Sequence, residues 1–199
     1  MPFAQRRGRP VSREDRERWD ARHAAVGVGA PAPPDGLRGR FELLPGVGPA
    51  DRSALPGDGR ALDIACGRGS VAVWLAQQGF AVDAVDVSAA AVGSGVALAA
   101  SVGVEVAFRV ADLDDGLPVV GPYDVVVCQR FRDPALYPAL AAALAPGGLL
   151  VVTVLSAVDD EPGRFRADPG ELATSFADLD VLAHEEGNGQ ATLLARKPW

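Results

Sequence analysis

Short apolar runs alternate with helical apolar spacing from residue 60 to the end of the chain. The runs at 60–65, 80–85, 104–110, 123–128 and 149–155 predict strands, and the segments 70–78, 89–101 and 134–144 predict helices. A last helix is expected over 169–176 with Asp168 as its N-cap, before two strands at 179–185 and 190–196 joined by Gly-Asn-Gly. This order predicts an α/β fold: a Rossmann-like, doubly wound, mostly parallel seven-stranded sheet with an antiparallel C-terminal hairpin strand and helices on both faces.

The first 59 residues follow a different pattern. Ser12 and Asp15 mark the expected start of a helix that runs from about residue 13 to residue 26. A Gly/Pro-rich linker follows at 27–39, and a short helical turn is expected at 41–44. We therefore expect two parts: an N-terminal helix with its linker at 1–59, and a ligand-binding domain at 60–199.

The composition narrows the function classes. The 199 residues are 48% hydrophobic and carry a formal net charge of -7. The first 22 residues contain seven arginines and four acids, so the acidic excess lies in the remainder of the chain, which argues against nucleic-acid binding. The chain has two cysteines, which argues against a secreted protein held together by disulfides. No membrane span or signal peptide is recognisable. These features predict a cytoplasmic protein.

A glycine loop follows the first predicted strand, and acids stand near the ends of three strands. Gly67 begins a G-x-G-x-x-A pattern, and Asp86 lies 19 residues further on, which fits a dinucleotide-binding enzyme. Asp63 argues against that function, because a carboxylate near the loop repels a pyrophosphate. With Asp86 and Asp112 it forms a row of three carboxylates, which favours a cationic, hydroxyl-rich ligand.

The segments LDIACGRG, AVDVS, ADL, YDVVVC and LAPGGLLVVTV, followed by two terminal strands, occur in an order that resembles a known superfamily. From about residue 60 to residue 198 the chain resembles the Rossmann-like (class I) S-adenosylmethionine-dependent methyltransferases. The opening RWDARH and the closing segment from residue 164 to residue 187 are similar to the small-molecule branch near the tellurite-resistance and thiopurine-type enzymes.

The resemblance implies a set of cofactor contacts. Asp63 would help hold the amino group, Asp86 would accept both ribose hydroxyls, and the glycine loop would approach the methionine moiety. Adenine would lie between two apolar side chains with Asp112 at its amino edge, and a lid helix would close over the cofactor. The implied cofactor-binding residues are Asp63, Ala65, Gly67, Gly69, Asp86, Val87, Asp112, Leu113, Cys128, Trp19 and Arg22.

The chain also departs from that branch. Only Gly187-Asn188-Gly189 joins the last strands, so the polar hairpin residues implicated in catalysis there have no counterpart. Cys128 is not followed by the Asn-Pro-Pro-Tyr type of sequence, which argues against DNA or glutamine N-methylation. The candidate acceptor contacts are Arg130, Phe131 and Arg164. No catalytic residue is predicted, and the two isolated histidines predict no metal site.

The function predicted is therefore in-line transfer of a methyl group from S-adenosylmethionine to a small molecule in a bacterial protein. A soft or anionic acceptor would need no general base. Two alternatives remain: an NAD(P)-binding oxidoreductase, and a non-catalytic S-adenosylmethionine-binding protein of the same fold. The acceptor and the oligomeric state are not predicted.

Overall fold

The computed structural model describes residues 20, 29–45, 59–163 and 165–199. The strands in the described part are β1 (Arg60–Ile64), β2 (Ala81–Asp86), β3 (Ala107–Val110), β4 (Tyr123–Gln129), β5 (Leu144–Ser156), β6 (Arg166–Ala167), β7 (Asp180–Gly187) and β8 (Gln190–Arg196). The helices are α1 (Ser70–Gln77), α2 (Ala89–Val102), α3 (Tyr137–Ala143) and α4 (Glu171–Ser175). Short 3-10 turns occupy Asp35–Leu37, Phe41–Leu43 and Leu113–Asp115.

The strands form one sheet in the order β3-β2-β1-β4-β5-β8-β7, with β6 paired to the end of β5. All pairs are parallel except β5 with β8 and β7 with β8. The chain winds outward from β1 to β3 and then returns to the other side of β1, so the strand order reverses between β1 and β4. Ligands of such sheets bind at the carboxyl ends of the strands beside this reversal. The predicted fold class is confirmed.

Two apolar layers cover the sheet, because alternate side chains of each buried strand point to opposite faces. The α1 face is defined by Ala61, Val125 and Val127, which pack with Ala72 and Leu75 of α1. The α3 face lies on the other side and contains the side chains Leu62, Ile64, Val126 and Cys128 with Leu140 of α3 and Leu172 of α4.

The segment 29–45 packs on the α1 face. Ala32 donates its N–H to the carbonyl of Ser70 at 3.1 Å. A Cβ atom on Gly36 would lie 2.6 Å from Leu194 and 2.8 Å from Thr192, so only a glycine fits this close to β8. Leu37 beside it is fully buried. The part of the predicted linker that the structure describes is therefore in direct contact with the sheet.

Several predicted boundaries were correct. The Ser88 hydroxyl accepts the N–H of Ala91 at 3.1 Å, as an N-cap of α2. Asn188 and Gly189 both have positive φ angles, 51° and 72°, as a tight two-residue hairpin turn requires. The predicted turn near Phe41 is present as a 3-10 turn.

Other boundaries were wrong. β5 begins at Leu144, which pairs with Tyr123 across a register irregularity, although Pro and Gly suggested a break there. α4 is preceded by Gly170 in a left-handed conformation, and Asp168 makes no N-cap bond. Asp168 instead donates its N–H to Glu171 Oε2 at 3.3 Å. The short β6 was expected to be loop.

Candidate functional site

The loop between β1 and α1 is built from left-handed residues. Ala65, Gly67 and Gly69 have φ angles of 53°, 53° and 74°. Left-handed backbone is accessible to glycine at little cost and is unfavourable for alanine, so Ala65 is held there by its surroundings. A Cβ atom on Gly69 would lie 2.7 Å from the ring of Phe108. Gly69 is therefore required by the packing of the loop against β3, a reason that the sequence pattern did not reveal.

Asp86, at the end of β2, fixes the shape of this loop. Its Oδ2 accepts the N–H of Gly67 at 2.7 Å, and its Oδ1 accepts the N–H of Ser88 at 2.9 Å. The side chain is buried, with the residue 8% exposed. Since each carboxylate oxygen has two lone pairs, each can accept one further hydrogen bond. Asp86 thus stabilises the loop and keeps one free lone pair on each carboxylate oxygen.

Asp63 lies on the neighbouring strand β1 and is almost completely buried. It is 2% exposed, and its Oδ2 has no hydrogen-bond partner among the described residues. Burial is the main reason that the pKa of Asp63 is raised to about 8; a hydrogen bond from the backbone of Ala72 opposes the rise, and the nearby charge of Asp86 adds a smaller contribution to it. A buried carboxylate with an unsatisfied oxygen is unfavourable until a donor or a cation reaches it. The site therefore suits a cationic group.

Asp20 connects the N-terminal part of the chain to this region. Its Oδ1 accepts the hydroxyl of the fully buried Ser88 at 2.5 Å and lies 3.4 Å from the N–H of Ala90. Ser88 in turn donates its own N–H to Asp86. Asp20 was not predicted as a site residue, although it stands in the RWDARH segment on which the lid helix was predicted. Trp19 and Arg22 lie outside the described residues.

Asp112, the third of the predicted acids, is less buried than Asp63 and Asp86. Asp112 Oδ1 accepts the N–H of Asp114 at 3.0 Å and caps the 3-10 turn that follows β3. Leu113 is buried in the layer on the α3 face, and Val87 is half-buried. The strand end is tied to the site by the N–H of Ala111, which donates to the carbonyl of Asp86 at 3.0 Å. The adenine contacts of Val87, Asp112 and Leu113 stay predictions.

Cys128, for which a cofactor contact was predicted, is buried near the end of β4, and that contact stays a prediction. It is 1% exposed on the α3 face, opposite to Asp63, and its thiol donates to the carbonyl of Phe131 at 3.6 Å. Burial raises the pKa of this thiol far above its ordinary value, so it remains protonated. The next residue, Gln129, belongs to the α1 face by strand alternation. Its Oε1 accepts the N–H of Asp35 at 2.8 Å.

The residues after β4 lie at the same carboxyl edge of the sheet as the glycine loop. Arg130 has a left-handed φ of 57° and an exposed side chain, and Phe131 is half-buried against the α3-face layer. Arg132 is fixed by a two-pronged ion pair with Glu171, which also accepts the hydroxyl of Tyr137 at 3.2 Å. Arg164 lies outside the described residues.

The donors of the glycine loop are largely engaged within the protein. Gly67 donates to Asp86 and Gly69 donates to the carbonyl of Cys66 at 3.0 Å. A pyrophosphate needs such backbone donors, and it would also lie beside the carboxylate of Asp86. The arrangement therefore disfavours a dinucleotide and favours a ligand with hydroxyl groups and positive charge.

Comparison with known proteins agrees with this geometry. Residues 61–148 match a family model described as "Methyltransferase domain". A curated relative, a ubiquinone biosynthesis O-methyltransferase from Caulobacter sp. (strain K31), is 38% identical over 103 residues, which are 49% of this chain and 41% of the relative. The chain thus spans about two fifths of that relative's length. Over residues 61–148 the chain is therefore similar to methyltransferase domains, in agreement with the resemblance seen in the sequence.

Solved structures extend the likeness of the fold. TehB from Haemophilus influenzae superposes with a TM-score of 0.63 at 21% identity, covering 74% of this chain and 60% of TehB. Magnesium protoporphyrin IX methyltransferase from Synechocystis PCC 6803, solved with bound SAM, gives 0.57 at 21% identity and covers 71% and 72% of the two chains. At these identities the likeness concerns the fold alone. In the described part of this chain, none of the helices has the length and apolarity needed to span a bilayer.

Proposed function

We propose that this protein is an S-adenosylmethionine-dependent methyltransferase that acts on a small molecule. The observation that supports it best is the pair of buried carboxylates on β1 and β2, with Asp86 braced by two backbone donors and Asp63 Oδ2 unsatisfied among the described residues. The match of residues 61–148 to a methyltransferase domain supports the same cofactor class.

The residues present fit this cofactor. Asp86 can accept two ribose hydroxyls on its remaining lone pairs, while its bonds to Gly67 and Ser88 hold it in place. Asp63 can take up the ammonium group, because its carboxylate becomes favourable once a positive charge compensates its burial. The neutral Cys66 and Cys128 compete with neither role, since burial keeps both thiols protonated.

The protein's contribution to catalysis is mainly positional. Bound S-adenosylmethionine supplies a methyl group already activated by a sulfonium. The chain would align the acceptor with that methyl group and exclude water, which can lower the barrier by about 7–11 kcal/mol. Gln129 and Asp35 lie at the end of β4, one strand from the glycine loop, and can shape the acceptor side.

The acceptor is proposed to be a small molecule. The curated relatives carry the name of an O-methyltransferase in ubiquinone biosynthesis, which supports an oxygen atom as the acceptor. The cytoplasmic location and the absence of nucleic-acid binding stay predictions from composition.

Calorimetric titration tests the cofactor assignment. We expect S-adenosylmethionine and S-adenosylhomocysteine to bind the wild type, and Asp86→Ala to weaken both by at least about 10-fold, because two charge-assisted hydrogen bonds are lost. Asp178→Ala, an exposed acid far along the chain, is the control and should bind as the wild type does. Absence of binding by either ligand at millimolar concentration would refute the proposal.

The two alternatives have their own readouts. NADH fluorescence should not change on titration with the protein, because the Gly67 donor that a pyrophosphate needs is held by Asp86. A non-catalytic protein would bind the cofactor but transfer no methyl group. Transfer of radiolabelled methyl to members of a panel of phenols, carboxylic acids and thiols distinguishes that case from an active enzyme.

A further inference from the structure

The chain leaves the sheet abruptly after β4. Arg130, the first residue beyond the strand, has a φ of 57° and donates its N–H to the carbonyl of Thr153 at 2.6 Å. Beyond Thr153, β5 no longer pairs with β4. It pairs with β6 instead, where Arg166 lies opposite Leu155. A left-handed arginine is an uncommon and unfavourable conformation, and such residues concentrate at functional sites.

Arg130 lies at the acceptor side of the proposed site. Val85 of β2 pairs with Ile64 of β1, and Ile64 pairs with Cys128 of β4, so Asp86 and Gln129 stand at the same level of the sheet. Two strand spacings of roughly 4.8 Å separate them, which gives about 10 Å. Arg130 follows Gln129 directly. Because β1 lies between β2 and β4, Arg130 and Asp86 stand on opposite sides of the glycine loop.

Other arginines around this edge of the sheet are closely paired. Arg132 is bonded to Glu171, Arg166 lies 2.5 Å from Asp160, and Arg40 is bonded to Glu185. Arg130 differs from them: its side chain is 77% exposed, and its ion pair with Asp35 is long, at 3.9 Å. Its guanidinium thus keeps most of its hydrogen-bonding capacity for a ligand.

The side chains around Arg130 carry an excess of positive charge and include exposed apolar groups. Asp35 also accepts from Arg38 Nε at 3.2 Å, so two arginines share one carboxylate in a protein whose net charge is -7. Leu155 is 43% exposed and belongs to the α1 face at the end of β5, and Phe131 is half-buried. Asp133 is turned to its own loop, where it accepts the N–H of Ala135 at 3.0 Å.

We propose that Arg130 binds the anionic group of the methyl acceptor, which makes the acceptor class a small organic anion with an apolar body. This inference rests on the proposed methyltransferase function. A guanidinium can donate two parallel hydrogen bonds to a carboxylate or phenolate, and the loosely paired Asp35 is displaced from it when the anion binds. Leu155, on the same face of the sheet as Gln129 and its partner Asp35, offers a contact surface for the apolar part.

The test uses benzoate and benzamide, which have nearly the same shape and differ in charge. Both are titrated calorimetrically into the protein saturated with S-adenosylhomocysteine. We expect benzoate to bind the wild type about 10-fold more tightly than benzamide, and Arg130→Gln to abolish that preference, because the charge-assisted bidentate bond is lost. Arg109→Gln, which removes an exposed arginine on β3, is the matched control and should keep the preference.

A second variant tests the role of Asp35. Asp35→Asn removes the competing carboxylate and should tighten benzoate binding several-fold without changing benzamide binding. Equal binding of the two probes to the wild type, or a preference that survives Arg130→Gln, would overturn the proposal. Unchanged S-adenosylhomocysteine affinity in Arg130→Gln shows that the fold is intact. If S-adenosylhomocysteine does not bind at all, the proposed function fails, and the same titrations on the free protein still decide the role of Arg130.

Discussion

The carboxylate of Asp86 accepts the N–H of Gly67 at 2.7 Å, so the end of β2 holds the loop that follows β1. The same carboxylate is the proposed acceptor of the ribose hydroxyls. Loop shape and ligand binding therefore depend on one side chain, and substitutions of Asp86 should alter stability as well as affinity.

Asp86→Asn separates these two roles. The asparagine oxygen can accept one of the two N–H donors, and its amide group must face the other donor. We expect the free energy of unfolding to fall by about 1–3 kcal/mol, the cost of one buried unsatisfied donor. Urea unfolding of the ligand-free protein measures this change. An unchanged midpoint and slope would show that the bonds to Gly67 and Ser88 contribute nothing to the loop.

Asp63 should make stability depend on pH. Its pKa is about 8 in the folded protein, against an ordinary value of 3.8 that applies to the unfolded chain, so between these pH values the folded state binds one more proton than the unfolded state. The contribution of protonated Asp63 to the free energy of unfolding is therefore complete below about pH 4. It is lost as the pH rises toward 8, at up to about 1.4 kcal/mol per pH unit. Asp63→Asn, which stays neutral, should lack this loss.

The measurement is urea unfolding of the wild type and Asp63→Asn at pH 5 and pH 8. We expect the variant to gain stability relative to the wild type at the higher pH. Parallel stabilities at both pH values would contradict the raised pKa. Any decline shared by both proteins reports other titrating groups and cancels in the comparison.

Gly69 can be tested against a second glycine of similar conformation. Gly69 and Gly103 have φ angles of 74° and 72°, but a Cβ on Gly69 would meet Phe108 at 2.7 Å, whereas a Cβ on Gly103 would meet nothing within 4 Å. Both alanine variants should lose about 1 kcal/mol for the left-handed backbone. Gly69→Ala should lose roughly 1–3 kcal/mol more through overpacking.

Chemical denaturation of the two alanine variants gives the comparison directly. Equal losses would mean that Phe108 moves aside without cost. A larger loss in Gly69→Ala would assign the glycine to packing, in addition to any contact with a ligand.

Asp20 and Ser88 should be energetically coupled. Asp20→Ala removes the acceptor of the buried Ser88 hydroxyl and should lower stability by about 0.5–2 kcal/mol. Ser88→Ala removes this bond together with the cap on Ala91. A double-mutant cycle should give a coupling free energy of about 1 kcal/mol. Additive single and double variants would show that the Asp20 contact is energetically silent.

Sequence reasoning succeeded where periodicity and local spacing carry the information. The mostly parallel, doubly wound sheet and the placement of Asp63 and Asp86 around the glycine loop follow from the alternation of strands and helices and from acids at strand ends. These features depend on residues close together in the chain. The resemblance to the methyltransferases could be recognised for the same reason, because the segments that carry it lie within single strands and the loops that follow them.

Sequence reasoning failed where a residue's position depends on contacts with parts of the chain that are distant in sequence. The run YDVVVC is apolar on both faces, so its pattern could not show that Cys128 faces away from Asp63. Asp35 lies 94 residues before Gln129, and no local pattern indicates that they bond. β6 has two residues in a polar stretch, too few for any periodicity.

The close packing of Gly36 against β8 has a practical consequence for the design of shortened forms of this protein. A chain that starts at residue 60, where the sequence pattern places the beginning of the domain, would expose Leu194 and Val151 to water and leave Gln129 without its donor. Such a fragment is expected to be poorly soluble. Expression designs and fusions should therefore keep the segment 29–45, and also Asp20 with its bond to Ser88, and should add tags ahead of residue 20.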